Sequence, residues 1–249
     1  QRQMCIRDRP NSRWYSGSGI YRDVNLWTGK GVYISHDKLR ITTLSVNDDM
    51  AVLEVCAQLK NIIGHGLEAE CLIEIKKDGQ KAASNTQRVV FRSEQMQTVR
   101  VQIPIEQPKK WSPAQPALYE CHITTRFDDE ICDEAVSNFG IRVLALDPVH
   151  GLQINGETVK LRGTCIHHDN GVIGAETFKE AEWYRCKRLK EAGFNAIRSA
   201  HHPMSRAMLD ACDHIGMLVM DELTDMWDKE KNTYDFSDIF EDEYNQWIN

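Results

Sequence analysis

No run of eighteen apolar residues occurs anywhere in the 249-residue chain, which removes a membrane-spanning helix from consideration. A long basic stripe is also missing. Asp and Glu outnumber Lys and Arg by 37 to 30, for a formal net charge of −7, which argues against a nucleic-acid partner. Cysteine is present, but never as Cys-x-x-Cys. Cys5, Cys56, Cys71, Cys121, Cys132, Cys165, Cys186 and Cys212 fit no zinc-ribbon spacing. Scattered buried thiols are the expectation, and they favour a reducing, cytoplasmic compartment. The first ten residues have mixed charge and no apolar core, so they do not form a secretory leader. They fit poorly with the rest of the chain and are expected to be foreign or disordered. With 41% hydrophobic and 27% charged residues, the chain can fold into one or two domains with a sizeable core.

Two rhythms divide the sequence. From about residue 30 to 142 the pattern has period two. Leu53, Val55, Ala57 and Leu59 alternate with Glu54, Cys56, Gln58 and Lys60; Cys71, Ile73 and Ile75 alternate with Glu70, Leu72, Glu74 and Lys76; Val99, Val101, Ile103 and Ile105 alternate with Arg100, Gln102 and Pro104. Strands with one dry and one wet face read this way. Asp78-Gly79 is a hairpin turn candidate. Short strands over this length predict an immunoglobulin-like β-sandwich.

From about residue 150 the spacing lengthens. A hairpin is expected around Asn155-Gly156, then a strand ending near His167. Thr177-Phe178-Lys179-Glu180 has the capping-box form, and Trp183, Cys186, Leu189 and Ala192 recur every three residues before Gly193. Asn195 to Ser199 is a short strand, and Pro203 suits the first turn of a second helix. Met208, Ala211, Cys212 and Ile215 mark the buried face of that helix, closed by Gly216. Met217 to Met220 is an apolar run expected of a parallel strand covered on both faces. A final helix is expected over 238–248. Strand, helix, strand, helix, strand is a parallel α/β arrangement.

Each of these strands ends in ionisable residues: His167-His168-Asp169, then Arg198 followed by His201-His202, then Asp221-Glu222. Parallel α/β folds place ligands at the carboxyl ends of their strands, so the three clusters converge. Alternation lets His167 and Asp169 point inward together, with His168 facing elsewhere, and forbids Asp221 and Glu222 from both doing so. Any one of these histidines alone is more often structural. The plain alternatives are an internal salt bridge for Arg198 and a helix cap for Asp221. Three clusters at equivalent strand ends favour a site.

These residues resemble a known family. Ser18-Gly19-Ile20-Tyr21-Arg22-Asp23-Val24 resembles the end of the sugar-binding jelly-roll domain of family 2 glycoside hydrolases. Trp111-Ser112-Pro113, Pro116-Ala117-Leu118-Tyr119 and Phe139-Gly140-Ile141-Arg142 are similar to its immunoglobulin-like domain. Leu161 to Asp169, Asn195 to Pro203, and Val219 to Glu222 resemble its first three barrel strands. The resemblance implies a multidomain β plus α/β protein. Residues 11–29 would be the jelly-roll tail, 30–142 the sandwich and 143–249 the first part of a TIM (β/α)8 barrel. It implies a β-galactosidase-like enzyme that cleaves terminal β-linked sugars with retention through two glutamates. The acid/base of that family follows an asparagine on the fourth barrel strand. No Asn-Glu dipeptide occurs here, so neither catalytic glutamate is assigned and this chain alone is expected to be inactive. What carries over is substrate binding: His167 and His201 on sugar hydroxyls, Arg198 beside the nucleophile, and Asp169 as a further sugar contact. No cofactor is identifiable, although the resemblance leaves room for a divalent metal and a homo-oligomer in the intact enzyme. The partner is a β-linked sugar, with neither nucleic acid nor membrane.

Two alternatives stand beside this one. A metal-dependent TIM-barrel hydrolase would use the histidines and Asp169, but no His-x-His pair occurs. A non-catalytic carbohydrate-binding or interaction module would keep the sandwich with a degenerate barrel. Coding sequence beyond Asn249 decides between that module and the enzyme.

Overall fold

The structure, a computed structural model, describes residues 20, 22–93, 95–225, 229, 237, 240, 243 and 244. Of the expected helix over 238–248 only Phe240, Glu243 and Tyr244 are described, and all three are helical; the N-terminal ten residues lie outside the described residues. Contacts divide the chain into two units, Asn25–Lys160 and a second drawn from Gln1–Val24 and Leu161–Asn249.

The first unit is a β-sandwich. One sheet holds β1 (Val32–Ile34), β2 (Arg40–Val46), β3 (Met50–Asn61) and β6 (Met96–Glu106), with β3 pairing to the other three. The second runs β5 (Gln80–Phe91), β4 (Leu67–Lys77), β7 (Tyr119–Phe127), β8 (Glu130–Phe139). The alternation seen in the sequence is the alternation of burial. Leu53, Val55, Ala57 and Leu59 are fully buried, as are Cys71, Ile73 and Ile75. Each large aliphatic side chain placed this way contributes about 1.5–3 kcal/mol. Burial also pushes the Cys71 and Cys121 thiols up to about 12, so they act as small apolar groups.

Turn chemistry fixes the registers. Asp78 and Gly79 join β4 to β5 with φ of 52° and 78°, the paired positive values of a tight hairpin. Trp111 is buried against Gly140, where an added Cβ would lie 2.7 Å from the Trp111 Cβ. The Arg142 guanidinium covers the indole at 4.5 Å.

Beyond the sandwich strands lies a three-stranded antiparallel sheet: β9 (Leu144–Asp147), β10 (Gly151–Ile154) and β11 (Glu157–Thr158). Its turn is Asn155-Gly156, as the sequence suggested, with φ of 54° and 85°. Asn155 accepts from the Val143 amide at 3.1 Å and donates to the Trp111 carbonyl at 3.0 Å. Through Asn155 the hairpin is tied into the sandwich unit.

The second unit holds three parallel strands in the order β12 (Gly163–Ile166), β13 (Ala196–Ser199), β14 (Leu218–Met220). They alternate with α1 (Lys179–Glu191) and α2 (Arg206–Ile215). Ile166, Ile197, Cys186, Met208, Ala211 and Cys212 form its core.

Four local expectations need correction. Thr177 does not cap α1: Phe178 holds the N-cap position and makes no side-chain cap bond. The inward face of α1 carries Glu182 and Cys186, both fully buried, while Trp183 is 39% exposed. A three-residue repeat drifts by about 60° per step on a helix of 3.6 residues per turn, so those four positions cannot share one face. Pro203 precedes α2 rather than entering it, and Ser205 is the cap, accepting from the Met208 amide at 3.2 Å. Finally, β14 pairs only with β13 among the described residues, and Met220 is 58% exposed rather than covered.

Candidate functional site

In the parallel sheet, Cys165, Arg198 and Met220 stand in one row across β12, β13 and β14. All three are exposed, while their neighbours Ile166, Ile197 and Ser199 are buried. Strand alternation therefore gives the sheet one apolar face and one face that carries Arg198.

Beyond the strand ends the backbone turns, and side chains are aimed by hydrogen bonds. The His167 ring approaches the Ala200 carbonyl through Nδ1. A carbonyl only accepts, so Nδ1 carries a proton. The His167 carbonyl accepts from Arg185 at 2.9 Å. Arg185 also reaches the fully buried Glu182 at 3.2 Å, and Asn170 donates to the same carboxylate oxygen at 2.7 Å. The other oxygen, Oε2, is buried with no hydrogen-bond partner. Glu182 thus anchors the β12 loop from behind.

His201 follows β13 after a cis Ala200–His201 peptide. Its ring centroid is 5.7 Å from that of His167. Its Nδ1 lies 3.3 Å from Glu222 Oε2 and 3.7 Å from Asp225 Oδ1. The other Glu222 oxygen accepts from Arg198 Nε, and Arg198 Nη1 reaches Cys165 at 3.7 Å. The hydrogen bond to Glu222, then that to Cys165, holds the guanidinium more firmly protonated than usual.

His168 and His202 form a second pair. Their rings stack at 4.4 Å and 16°, with His168 Nδ1 and His202 Nε2 3.3 Å apart. Burial is the main force on His168, pushing it down to about 3, with His202, Arg22 and Arg185 adding to the effect. His202 is pushed down by burial as well. The pair is neutral packing, and Arg22 closes over it by donating to the Pro203 carbonyl.

Among the residues picked out from sequence, the structure brings together His167, Arg198 and His201. Asp169 is exposed, and its carboxylate accepts from the Gly171 amide at 3.2 Å within its own loop. Asp221 is no helix cap. It accepts from the Met204 amide at 2.9 Å and ties the loop after β13 to the end of β14. Sequence reasoning passed over Asp225 and Glu182. Glu222 was visible as an acidic strand end, but nothing in the sequence pointed it towards His201. Among the described residues, no group of three or more His, Cys, Asp or Glu side chains is arranged to hold a metal ion. No described helix is long and apolar enough to cross a membrane.

Comparison with known proteins decides the family. The sequence model of glycosyl hydrolases family 2 matches residues 32–142, and that of the family's TIM barrel domain matches 149–239. The chain belongs to glycosyl hydrolase family 2. It is 34% identical to the β-galactosidase BoGH2A of Bacteroides ovatus, over 96% of this chain and 28% of that protein. It is 28% identical to a β-glucuronidase of Bacteroides fragilis, over 82% of this chain and 30% of that protein. A solved family 2 structure from Bacteroides cellulosilyticus superposes with a TM-score of 0.87 at 34% identity, covering 96% of this chain and 31% of that one. The chain spans less than a third of the length of each of these relatives. Members of this family with immunoglobulin-like and TIM-barrel parts are glycosidases, and these relatives are called β-galactosidase and β-glucuronidase.

Proposed function

We propose that the intact protein hydrolyses terminal β-glycosidic bonds, most readily those of β-galactosides, by a retaining mechanism with two glutamates that lie outside these 249 residues. In this reading residues 11–29 close a jelly-roll sugar-binding domain, and β12, β13 and β14 are the first three strands of a (β/α)8 barrel. The chain contributes one wall of the sugar pocket. His167 and His201 bind hydroxyls, Arg198 faces the nucleophile, and Asp169 reaches the sugar when its loop is in place.

One observation carries the proposal: the His167 and His201 rings meet at 5.7 Å beside Arg198, at the carboxyl ends of parallel strands. That is where α/β barrels bind their substrates. The preference for a neutral sugar draws on the similarity to BoGH2A and on the Arg198–Glu222 pair, which engages the cation internally.

The test is turnover of aryl β-galactoside against aryl β-glucuronide by the intact protein. Faster release from the galactoside is expected, and the 249-residue chain alone should release none. His201→Ala in the intact protein should cost roughly 100-fold in kcat/KM, the scale of losing one contact that strengthens in the transition state. Unchanged activity in that variant would reject the assignment.

A further inference from the structure

We propose that Cys186 and Cys212 are a peroxide-reactive dithiol that closes reversibly into a disulfide between α1 and α2. This chemistry does not depend on what the strand-end residues bind. The two sulfurs lie 3.8 Å apart in the core of the parallel unit, and both side chains are buried free thiols. A disulfide bond is about 2.05 Å long, so less than about 2 Å of approach separates the pair from a covalent link.

The pair is asymmetric, as suits a nucleophile and its resolving partner. The hydrogen bond with Cys212, then the charge of Lys190, draws Cys186 below the usual thiol range despite its burial. The same contact, then burial, pushes Cys212 up, so it keeps its proton and donates to the Cys186 thiolate. The sandwich shows the opposite case, with Cys71 and Cys121 both pushed up to about 12 by burial.

Access comes from the helix itself. Only Glu182 and Cys186 of α1 are buried, so little apolar surface holds the helix down. An element of that kind opens locally at low cost, and hydrogen peroxide is neutral and scarcely larger than water.

The chemistry balances in two steps. The Cys186 thiolate attacks one peroxide oxygen, the O–O bond breaks, and hydroxide leaves as water with the proton that Cys186 shed. Cys212 then attacks the sulfur of the Cys186 sulfenic acid. The S–S bond forms, the S–O bond breaks, and the Cys212 proton leaves with that hydroxyl as a second water. Peroxide is reduced by two electrons and the dithiol is oxidised by two. The cysteines bracket β13 in sequence, so the link closes a loop that carries Arg198 and His201. Arg185, next to Cys186, holds the His167 carbonyl at 2.9 Å. Oxidation therefore clamps the elements on which the strand-end residues stand.

Peptide mapping of the intact protein tests this. The protein is treated with a modest excess of hydrogen peroxide, cleared with catalase and alkylated under denaturing conditions. The peptides holding Cys186 and Cys212 should appear joined, two hydrogens lighter than their sum, and dithiothreitol should separate them. Cys71 and Cys121 should remain alkylated thiols. In Cys212→Ala, dimedone should trap Cys186 as its sulfenic acid, and Cys186→Ala should leave Cys212 unreacted. The parent mapping stands whether or not either variant folds. The parallel unit of the oxidised protein should unfold in urea at a midpoint higher by roughly 1 M, as a clamped loop requires. Full alkylation of Cys186 and Cys212 under conditions that oxidise free cysteine overturns the proposal, as does an unchanged midpoint. Dimedone on Cys212 in Cys186→Ala also overturns it. So does oxidation of Cys71 and Cys121 alongside the pair, which would mark global unfolding rather than a reactive dithiol.

Discussion

The sandwich and the parallel-strand unit are built on opposite terms. In the sandwich, the buried interior is apolar, from Val32 through Leu53 and Ile73 to Ile123, with Phe91, Tyr119 and three cysteines among the aliphatic side chains. Its polar insertions are few and satisfied, as where Thr125 donates to the Val32 carbonyl at 2.7 Å. In the parallel unit, Glu182, His168 and Ser199 are buried beside the core, and each is held by named partners. Apolar area is interchangeable between side chains of similar volume, whereas a buried carboxylate depends on particular donors. The first unit should tolerate conservative change, and the second should not.

The sharpest way to break this contrast is at Glu182. Glu182→Ala leaves Arg185 and Asn170 without their shared acceptor, and a loss of about 3–5 kcal/mol is expected, as for other broken buried pairs. Urea unfolding followed by a probe in the parallel unit would measure it. Leu53→Ala in the sandwich should cost about 2–5 kcal/mol, while Leu53→Ile should cost less than about 1.5 kcal/mol. If Glu182→Gln proves as mild as Leu53→Ile, the distinction fails.

A smaller effect separates the units by pH. His168 titrates near 6.5 when unfolded and near 3 when folded, so below 6.5 the unfolded chain binds a proton that the folded chain refuses. Its contribution is intact above 6.5 and is lost as pH falls from there towards 3, at no more than about 1.4 kcal/mol per pH unit. The parallel unit should therefore weaken between about pH 6.5 and 5, ahead of most carboxylates, and His168→Gln should flatten that slope. Equal acid sensitivity in both units would count against the buried histidine pair. Smallest of all is the exposed Arg188–Glu191 pair on α1, at 3.0 Å. Arg188→Ala should move stability by less than about 0.5 kcal/mol.

The same contrast explains what could be read from the sequence. The sandwich strands were legible because one face of each is wet, so burial leaves an alternating trace at Leu53 to Leu59 and Cys71 to Ile75. Asp78-Gly79 and Asn155-Gly156 were legible because few residue pairs adopt two successive positive φ values. The inner face of α1 was misread because apolar spacing makes no allowance for a buried carboxylate, and Glu182 occupies the place that pattern-matching gave to Trp183. Convergence of His167, Arg198 and His201 followed from the strand-end rule. The place of Glu222 did not, since β14 stops at Met220 and alternation no longer governs the residues beyond it.

Glu222 also sets a rule for laboratory evolution of this pocket. Because one carboxylate serves Arg198 and His201 together, neither partner can drift alone without unsettling the other. Substitutions at positions 198, 201 and 222 should be strongly epistatic, with single variants poor guides to doubles and triples. A library that randomises these three codons jointly can cross to a new sugar preference in one step, where a one-residue-at-a-time walk would meet a valley at each of them.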